Sequence, residues 1–359
     1  MKKKKILYLL HIDWDWIKQR PQFIAEGLAE KYELTCVYPL SWRFGKKTKN
    51  HNNTVKIIPV LQVPFNKIKF ISSLNRLISK TVVKLVAILG GYDVIIVPSP
   101  WLYSSWMAKK SVVYDCMDNY KAFMNEEKKA IFVRKERDIV NASKIVLASS
   151  KYIINELVKD YGADRNRIKL VRNGYFPKKV NTEGHSDVQT SGVFRISYIG
   201  TIASWFDFDV ILKSLDVFEN IEYHLAGPID ASISLPNHPR IIYDGLIKHD
   251  LLHDYVAKFD CLMMPFVVND IVAAVDPVKL YEYVDFNKNI ISVYYDEIDR
   301  FGKFVHFYNS QEEFQQVIRQ LLTCNKLKYS LGERESFLVE NQWAQRVQTI
   351  DRIIRSELG

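Results

Sequence analysis

Phe194-Arg195-Ile196-Ser197-Tyr198-Ile199-Gly200 is the stretch on which the reading of the chain turns. Its apolar and aromatic residues run straight into a glycine, and a helix-period segment follows at 207–218. A strand, a tight turn and a covering helix in that order open a parallel α/β unit. Immediately upstream, 176–192 is polar, with Pro177, Asn181, Gly184, Ser186 and Ser191 and almost no apolar periodicity, as expected of a linker between domains. Two domains also suit a length of 359 residues, since a single core stops growing near roughly 250–300.

The same alternation fills both sides of the linker. Before it, short apolar runs predict strands over 5–10, 33–38, 55–60, 93–97, 112–116, 144–148 and 168–171. Helical patterns lie between them at 20–31, 68–89, 101–109, 126–140 and 150–161. After it, strands are predicted over 194–199, 221–226, 240–243, 261–265 and 290–294, with helices over 207–218, 249–258, 277–286 and 312–322. Runs that are apolar on both faces argue two doubly wound α/β sheets covered by helices. Trp343, Val347, Ile350 and Ile354 step by 4, 3 and 4, so a last amphipathic helix must bury that stripe, with the first domain as a place for it. The expected boundaries are 1–175, 176–192, 193–340 and 341–359.

Composition excludes several classes. With 48% hydrophobic and 25% charged residues the chain is neither disordered nor fibrous. Its four cysteines, Cys36, Cys116, Cys261 and Cys324, are too far apart for metal-ligand spacing, and a chain of this size needs no disulfide staples. The N-terminal apolar stretch stops at His11 and Asp13 without a cleavage site, so the expectation is a cytoplasmic protein. Charge is divided: residues 1–180 hold 34 Lys and Arg against 15 Asp and Glu, and 181–359 hold 16 against 26. The stretch 34–92 contains no acid, and ten bases: Arg43, Lys46, Lys47, Lys49, Lys56, Lys67, Lys69, Arg76, Lys80 and Lys84. Within it, Ile71, Leu74, Ile78, Leu85 and Leu89 follow helical spacing with the bases on another face. A 67–89 basic helix of this kind is expected on an anionic membrane surface, although a core-packed helix with a solvated face has the same pattern. No nucleic-acid-binding motif accompanies the charge, so no nucleic acid partner is expected.

Three constellations offer chemistry. In Asp276-Pro277-Val278-Lys279-Leu280-Tyr281-Glu282-Tyr283 the proline suits the first turn of a helix. The N–H groups of Val278, Lys279 and Leu280 would then point outward as an anion site, with the Lys279 charge beside them and Glu282 placed to accept from sugar hydroxyls. Gly200 and Thr201 end the strand 194–199, where a glycine allows close approach of a phosphate and the threonine adds a hydroxyl. In the first domain Asp13, Asp15, Asp115 and Asp118 follow strands, where a carboxylate serves as a general base or orients a hydroxyl, or else caps a loop or pairs with Arg20. His11 reads as a packed loop histidine.

Several motifs in chain order resemble those of bacterial GT-B glycosyltransferases. They are Asp13-Trp14-Asp15-Trp16 with Gln19-Arg20-Pro21-Gln22, Tyr114-Asp115-Cys116-Met117-Asp118, Asn173-Gly174, Tyr198-Ile199-Gly200, Leu225-Ala226-Gly227-Pro228 and the segment from Asp276 to Tyr283. The likeness is to GT4-like enzymes of cell-surface and capsular polysaccharide assembly, including the teichuronic acid glycosyltransferases. It implies two Rossmann-like domains facing across a cleft, and hexosyl transfer with retention from a nucleoside-diphosphate sugar to a glycan acceptor, read as lipid-linked. No metal and no cofactor beyond the sugar nucleotide is expected.

By the same resemblance, Glu282 binds the donor ribose and Val278, Lys279 and Leu280 hold the diphosphate. Asp244-Gly245-Leu246-Ile247 is the loop that packs on the base, which brings Gly245 and Leu246 into the donor site. Asp118 or Asp115 assists at the acceptor hydroxyl, and Asp13, Asp15 and Arg20 serve the acceptor. Ala274 stands where relatives carry an acid eight before the glutamate, leaving Asp276 or Asp270 as donor-sugar contact. Thr201, Ala203 and Ser204 stand where basic residues are common, and Met117 where many relatives carry histidine. The rival readings are a catalytically silent scaffold subunit of the same fold and a sugar-nucleotide epimerase.

Overall fold

Strands that are apolar on both faces need cover on both sides, and parallel pairing with helical crossovers supplies it. A computed structural model describes residues 3–15, 17–40, 54–65, 68–177 and 192–358. By compactness the chain forms one unit from Met1–Gly174 with Trp343–Gly359, and a second from Tyr175–Gln342.

Among its described residues the first unit has seven strands: β1 (Lys5–Leu9), β2 (Glu33–Leu40), β3 (Lys56–Leu61), β4 (Val94–Val97), β5 (Ser111–Cys116), β6 (Ile145–Ala148) and β7 (Ile168–Leu170). They are all parallel, in the order β3-β2-β1-β4-β5-β6-β7. Its helices include α1 (Arg20–Ala29), α2 (Lys69–Gly90), α3 (Glu126–Ala142) and α4 (Lys151–Tyr161). Strand order reverses between β1 and β4, and the crevice beyond the carboxyl ends of those two strands is where such sheets take ligands.

The second unit has β8 (Phe194–Ile199), β9 (Ile221–Ala226), β10 (Ile241–Gly245), β11 (Cys261–Met264), β12 (Asn289–Val293) and β13 (Val305–Tyr308). These too are parallel, ordered β10-β9-β8-β11-β12-β13, so the reversal lies between β8 and β11. Around them run α5 (Phe208–Leu215), α6 (Leu252–Ala257), α7 (Asp270–Ala273), α8 (Val278–Asp285), α9 (Gln311–Thr323) and α10 (Leu331–Glu340). Both sheets are the doubly wound α/β arrangement expected from the alternation.

The last helix, α11 (Trp343–Leu358), belongs to the first unit. Its stripe of Trp343, Val347, Ile350 and Ile354 is buried in one core with Ile24 and Leu28 of α1. Trp343 stacks on Phe23 with ring centroids 5.0 Å apart, and a Cβ on Gly27 would meet the Val347 side chain at 2.6 Å, so α1 must be bare there. Asp351 accepts from Tyr32 (2.7 Å), Lys31 (2.7 Å) and Arg355 (2.9 Å). Burial works to raise this carboxyl, but those hydrogen bonds outweigh it and hold it at about 2.

Some details differ from expectation. The helix predicted over 101–109 is two short 3₁₀ turns, Pro100–Leu102 and Ser105–Lys109. β13, α7 and α10 went unread, each being short or weakly periodic. Trp16, residues 178–191 of the linker, and Arg43, Lys46, Lys47, Lys49 and Lys67 lie outside the described residues. In α2 the buried side chains are Asn75, Val83 and Ala87, and Leu74, Leu85 and Leu89 of the stripe read from the sequence are exposed. They share the outer face with Phe70 (76% exposed), Leu77 (63%) and Ile88 (64%). Periodicity marked one apolar stripe on α2, and the structure shows apolar residues both on its covered face and on its outer face. Asn75 fastens that covered face, donating to Val63 O (3.0 Å) and accepting from Val63 N (2.8 Å). Among the described residues no helix is long and apolar enough to cross a membrane.

Ile350 is fully buried under α1. Ile350→Ala is expected to cost about 2–5 kcal/mol in urea unfolding, the usual range for emptying a packed site. A cost under about 0.5 kcal/mol, typical of surface positions, would show that α11 is not part of the first unit's core.

Candidate functional site

In the second unit the chemistry gathers at the carboxyl end of β8. Gly200 and Gly227 follow β8 and β9 with φ of 146° and 135°, which side chains other than glycine rarely adopt. A Cβ on Gly227 would sit 2.2 Å from Gly200 O, and one on Gly200 would sit 1.9 Å from Lys279 Cε and 2.5 Å from its Nζ. The Lys279 side chain therefore lies directly against the Gly200 backbone, with its ammonium 5.7 Å from the centre of the Tyr198 ring. Burial lowers the Lys279 pKa and Glu282 pulls it back up.

Tyr283 sets this contact. Its buried hydroxyl accepts from Ile199 N (2.9 Å) and donates to Ile199 O (3.3 Å), which pins α8 to the last residue of β8. Nothing in the sequence assigned Tyr283 a role, because a tyrosine in an apolar helical stripe reads as core.

The helix start differs in two respects from expectation. Pro277 has ψ 112° and is the N-cap, so α8 begins at Val278 rather than at the proline. Leu280 N donates to Pro277 O (3.2 Å) and the Leu280 side chain is fully buried, which removes Leu280 from the set of outward donors. Val278 N and Lys279 N have no acceptor among the described residues and remain the donors of this end. Glu282 is half-buried one turn on, with His249 Nε2 3.8 Å from its carboxylate. Leu246 is exposed beyond Gly245, which has φ 76°, and Thr201 is exposed after Gly200 while its carbonyl accepts from Tyr198 (2.8 Å).

Asp276 requires correction. Its side chain is wholly buried, ion-paired with Arg300 and hydrogen-bonded by Tyr281 (3.3 Å), with Arg300 also donating to Tyr281 (2.8 Å). A carboxylate spent on an internal pair does not reach a donor sugar; it braces the turn before α8.

In the first unit Asp115 and Arg20 are likewise structural. Asp115 is fully buried and accepts from Arg20 Nη2 (2.8 Å), Arg20 Nε (3.0 Å) and Tyr8 (2.9 Å). Arg20 turns its remaining donors to Val171 O (2.7 Å) and Arg172 O (3.2 Å), tying α1 to β5 and to the end of β7. Asp13 is mostly buried and accepts from Asp15 N (3.0 Å) in a loop turn, and Asp15 is exposed.

Asp118 differs from Asp115. It follows β5 and faces a cavity shared with Tyr120, and burial raises its carboxyl to about 6, with Arg20 and the Tyr120 hydroxyl restraining the rise. Tyr120 also lies 3.4 Å from His11 Nε2, and both line a second cavity of about 420 Å³ at the β1–β4 reversal, with Ser99 and Trp101 after β4. Burial lowers the His11 pKa, and His11 Nδ1 has no partner among the described residues. The sequence did not bring His11, Tyr120 and Trp101 to one cavity, because single aromatics after a strand carry no signal until the sheet order is known.

No family model matches the chain. A Bacillus subtilis (strain 168) protein, TuaH, named as a candidate teichuronic acid biosynthesis glycosyltransferase, is 24% identical over 206 residues. That match takes in 53% of this chain and 52% of TuaH, so the chain spans about half the length of this relative. Among solved structures, sucrose-phosphate synthase from Thermosynechococcus elongatus is similar with a TM-score of 0.73 at 12% identity, covering 99% of both chains. The lipopolysaccharide outer core galactosyltransferase WaaB gives 0.68 at 13%, covering 98% and 99%. Anabaena HepE, solved with UDP and glucose, gives 0.64 at 14%, covering 98% and 100%.

A buried carboxyl with a raised pKa should titrate late. Asp118 is expected to change protonation near pH 6 by carboxyl-carbon NMR, and a midpoint near 4 would contradict the burial that sets it apart from an exposed aspartate. With two doubly wound parallel sheets of this order and these structural neighbours, the chain has the GT-B fold of glycosyltransferases.

Proposed function

We propose that the chain is a glycosyltransferase that moves a hexosyl group from a nucleoside-diphosphate sugar to a lipid-linked glycan in surface polysaccharide assembly. The observation that carries this reading is the Lys279 ammonium lying over Gly200 at the open start of α8. Two backbone donors, a helix N-terminus and a cation converge there, which is the chemistry a diphosphate requires. The likeness to a polysaccharide-assembly relative, and to a neighbour solved with UDP and glucose, favours a sugar nucleotide over other diphosphates.

In the reaction the acceptor oxygen bonds to the anomeric carbon as the bond from that carbon to the β-phosphate oxygen breaks. The nucleoside diphosphate leaves with the electron pair. Lys279 and the first N–H groups of α8 stabilise the developing charge in place of a metal, the kind of preorganised electrostatics that commonly supplies the largest rate term. Glu282 holds the ribose, and Leu246 packs on the base. Asp118, ionised above about pH 6, takes the acceptor proton, and transfer proceeds with retention because the acceptor oxygen bonds on the same face of the sugar from which the diphosphate departs.

Thermal-shift screening against UDP-, GDP- and dTDP-sugars identifies the donor. With that donor, in the presence of EDTA, Lys279→Ala is expected to lower kcat/KM by about 10²–10³, and Glu282→Ala to raise the donor KM, with circular dichroism unchanged. Full activity in both variants would leave a silent scaffold as the better reading. An isomerised sugar nucleotide formed from donor alone would point instead to an epimerase.

The protein works at the inner membrane face through α2. Its exposed stripe of Phe70, Leu74, Leu77, Leu85 and Ile88 steps by 4, 3, 8 and 3, with Lys69, Arg76, Lys80 and Lys84 alongside. Exposed leucines flanked by bases, with no acid over 34–92, complement an anionic lipid surface. Flotation with phosphatidylglycerol vesicles is expected at low salt, to weaken as salt rises, and to fail for Leu77→Asp/Ile88→Asp. Flotation of that double variant at wild-type level would remove α2 as the docking face.

A further inference from the structure

Helix α2 presents Arg76 and Lys80 to the 420 Å³ cavity of the first unit, and Lys80 shares an adjoining cavity of about 700 Å³ with Lys135 of α3. Among the described residues no acid lines the first cavity, and Asp138 is the acid lining the second. The three cations lie close enough to act on one another: besides burial, Lys80 and Arg76 lower the Lys135 ammonium, with Asp138 opposing. Lys135 is held 5.7 Å from the Trp101 ring centre, and Trp101 in turn packs on Phe132 at 6.0 Å. Cations gathered from two helices at a cavity mouth repel one another unless an anion joins them. The apolar stripe of α2 begins on the same helix, so whatever supplies the anion has an apolar part within reach.

We infer that Arg76, Lys80 and Lys135 bind the phosphate or diphosphate group of an amphiphilic acceptor, whose apolar tail follows the exposed stripe of α2 and whose sugar enters the cavity toward His11 and Tyr120. This deepens the proposed function and rests on reading the first unit as the part that holds the acceptor. Three cations suit a group of charge −2 or more, and the arginine can take two of its oxygens at once.

The test uses Lys279→Ala protein, which removes the second unit's diphosphate site. Inorganic pyrophosphate is expected to slow acylation of Lys80 and Lys135 about fivefold or more, read residue by residue by mass spectrometry, and Arg76→Gln to abolish most of that protection. Unchanged acylation with pyrophosphate overturns the site. A second arm compares phosphatidylcholine vesicles carrying a polyprenyl diphosphate with vesicles carrying phosphatidylglycerol. The Arg76→Gln/Lys80→Gln/Lys135→Gln variant is expected to lose its preference for the first and still float with the second. Equal loss on both would make the cations general headgroup contacts and overturn the inference. Protection in that variant, with no transfer by the native protein from any sugar nucleotide, supports the anion site while removing the enzyme reading, and transfer by the native protein without protection removes the site alone.

Discussion

The two hydrogen bonds between the Tyr283 hydroxyl and the backbone of Ile199 govern the geometry of the second unit's site. They fix the start of α8 at the end of β8, and from there the Lys279 side chain lies against the bare backbone of Gly200. A buried tyrosine satisfied at both lone pair and proton is rigid, so the ammonium is positioned in advance. Preorganisation matters because a charge that need not move as the leaving group forms stabilises it without reorganisation. Asp276 and Arg300 brace the same turn from behind.

The first unit is organised by a different pair. Arg20 and Asp115 stand 95 residues apart and meet in a dry interior, where Tyr8 and two backbone carbonyls take up the remaining valences. Removing one member of such a pair strands the other and costs about 3–5 kcal/mol, whereas the intact pair adds little net stability. Its effect is positional: it ties α1 to β5 and to the chain after β7. Asp118, three residues beyond Asp115, is thereby set facing a cavity with its carboxyl at about 6. Two aspartates in one short motif thus have different surroundings: Asp115 is hydrogen-bonded by Arg20, and Asp118 faces a cavity.

Much of the fold was legible because the decisive signal is local. Seven strands of the first sheet and five of the second were readable as short apolar runs, and the Trp343 to Ile354 stripe announced a helix needing cover. The Lys279 segment was legible for the same reason, since proline, lysine and glutamate at fixed offsets describe one helix start. What sequence could not settle was partnership. Pairing with Arg20 was one alternative for Asp13, Asp15, Asp115 and Asp118, and only the sheet selects Asp115; Asp276 looks like an exposed site carboxylate until the fold brings Arg300 to it. The inward and outward faces of α2 are both apolar, so spacing alone could not say whether Leu74, Leu85 and Leu89 meet a core or a membrane surface; they are exposed. His11 and Tyr120 come together only through the β1–β4–β5 neighbourhood, which no local pattern reports.

The central claim is that the opening turn of α8 and Lys279 grip the second phosphate of a nucleotide. Calorimetry with the matching nucleoside mono- and diphosphates tests it directly. The diphosphate is expected to bind at least about tenfold more tightly to the native protein, with that advantage gone in Lys279→Ala. Equal affinity for the two nucleotides, or an advantage that survives loss of the lysine, would contradict it.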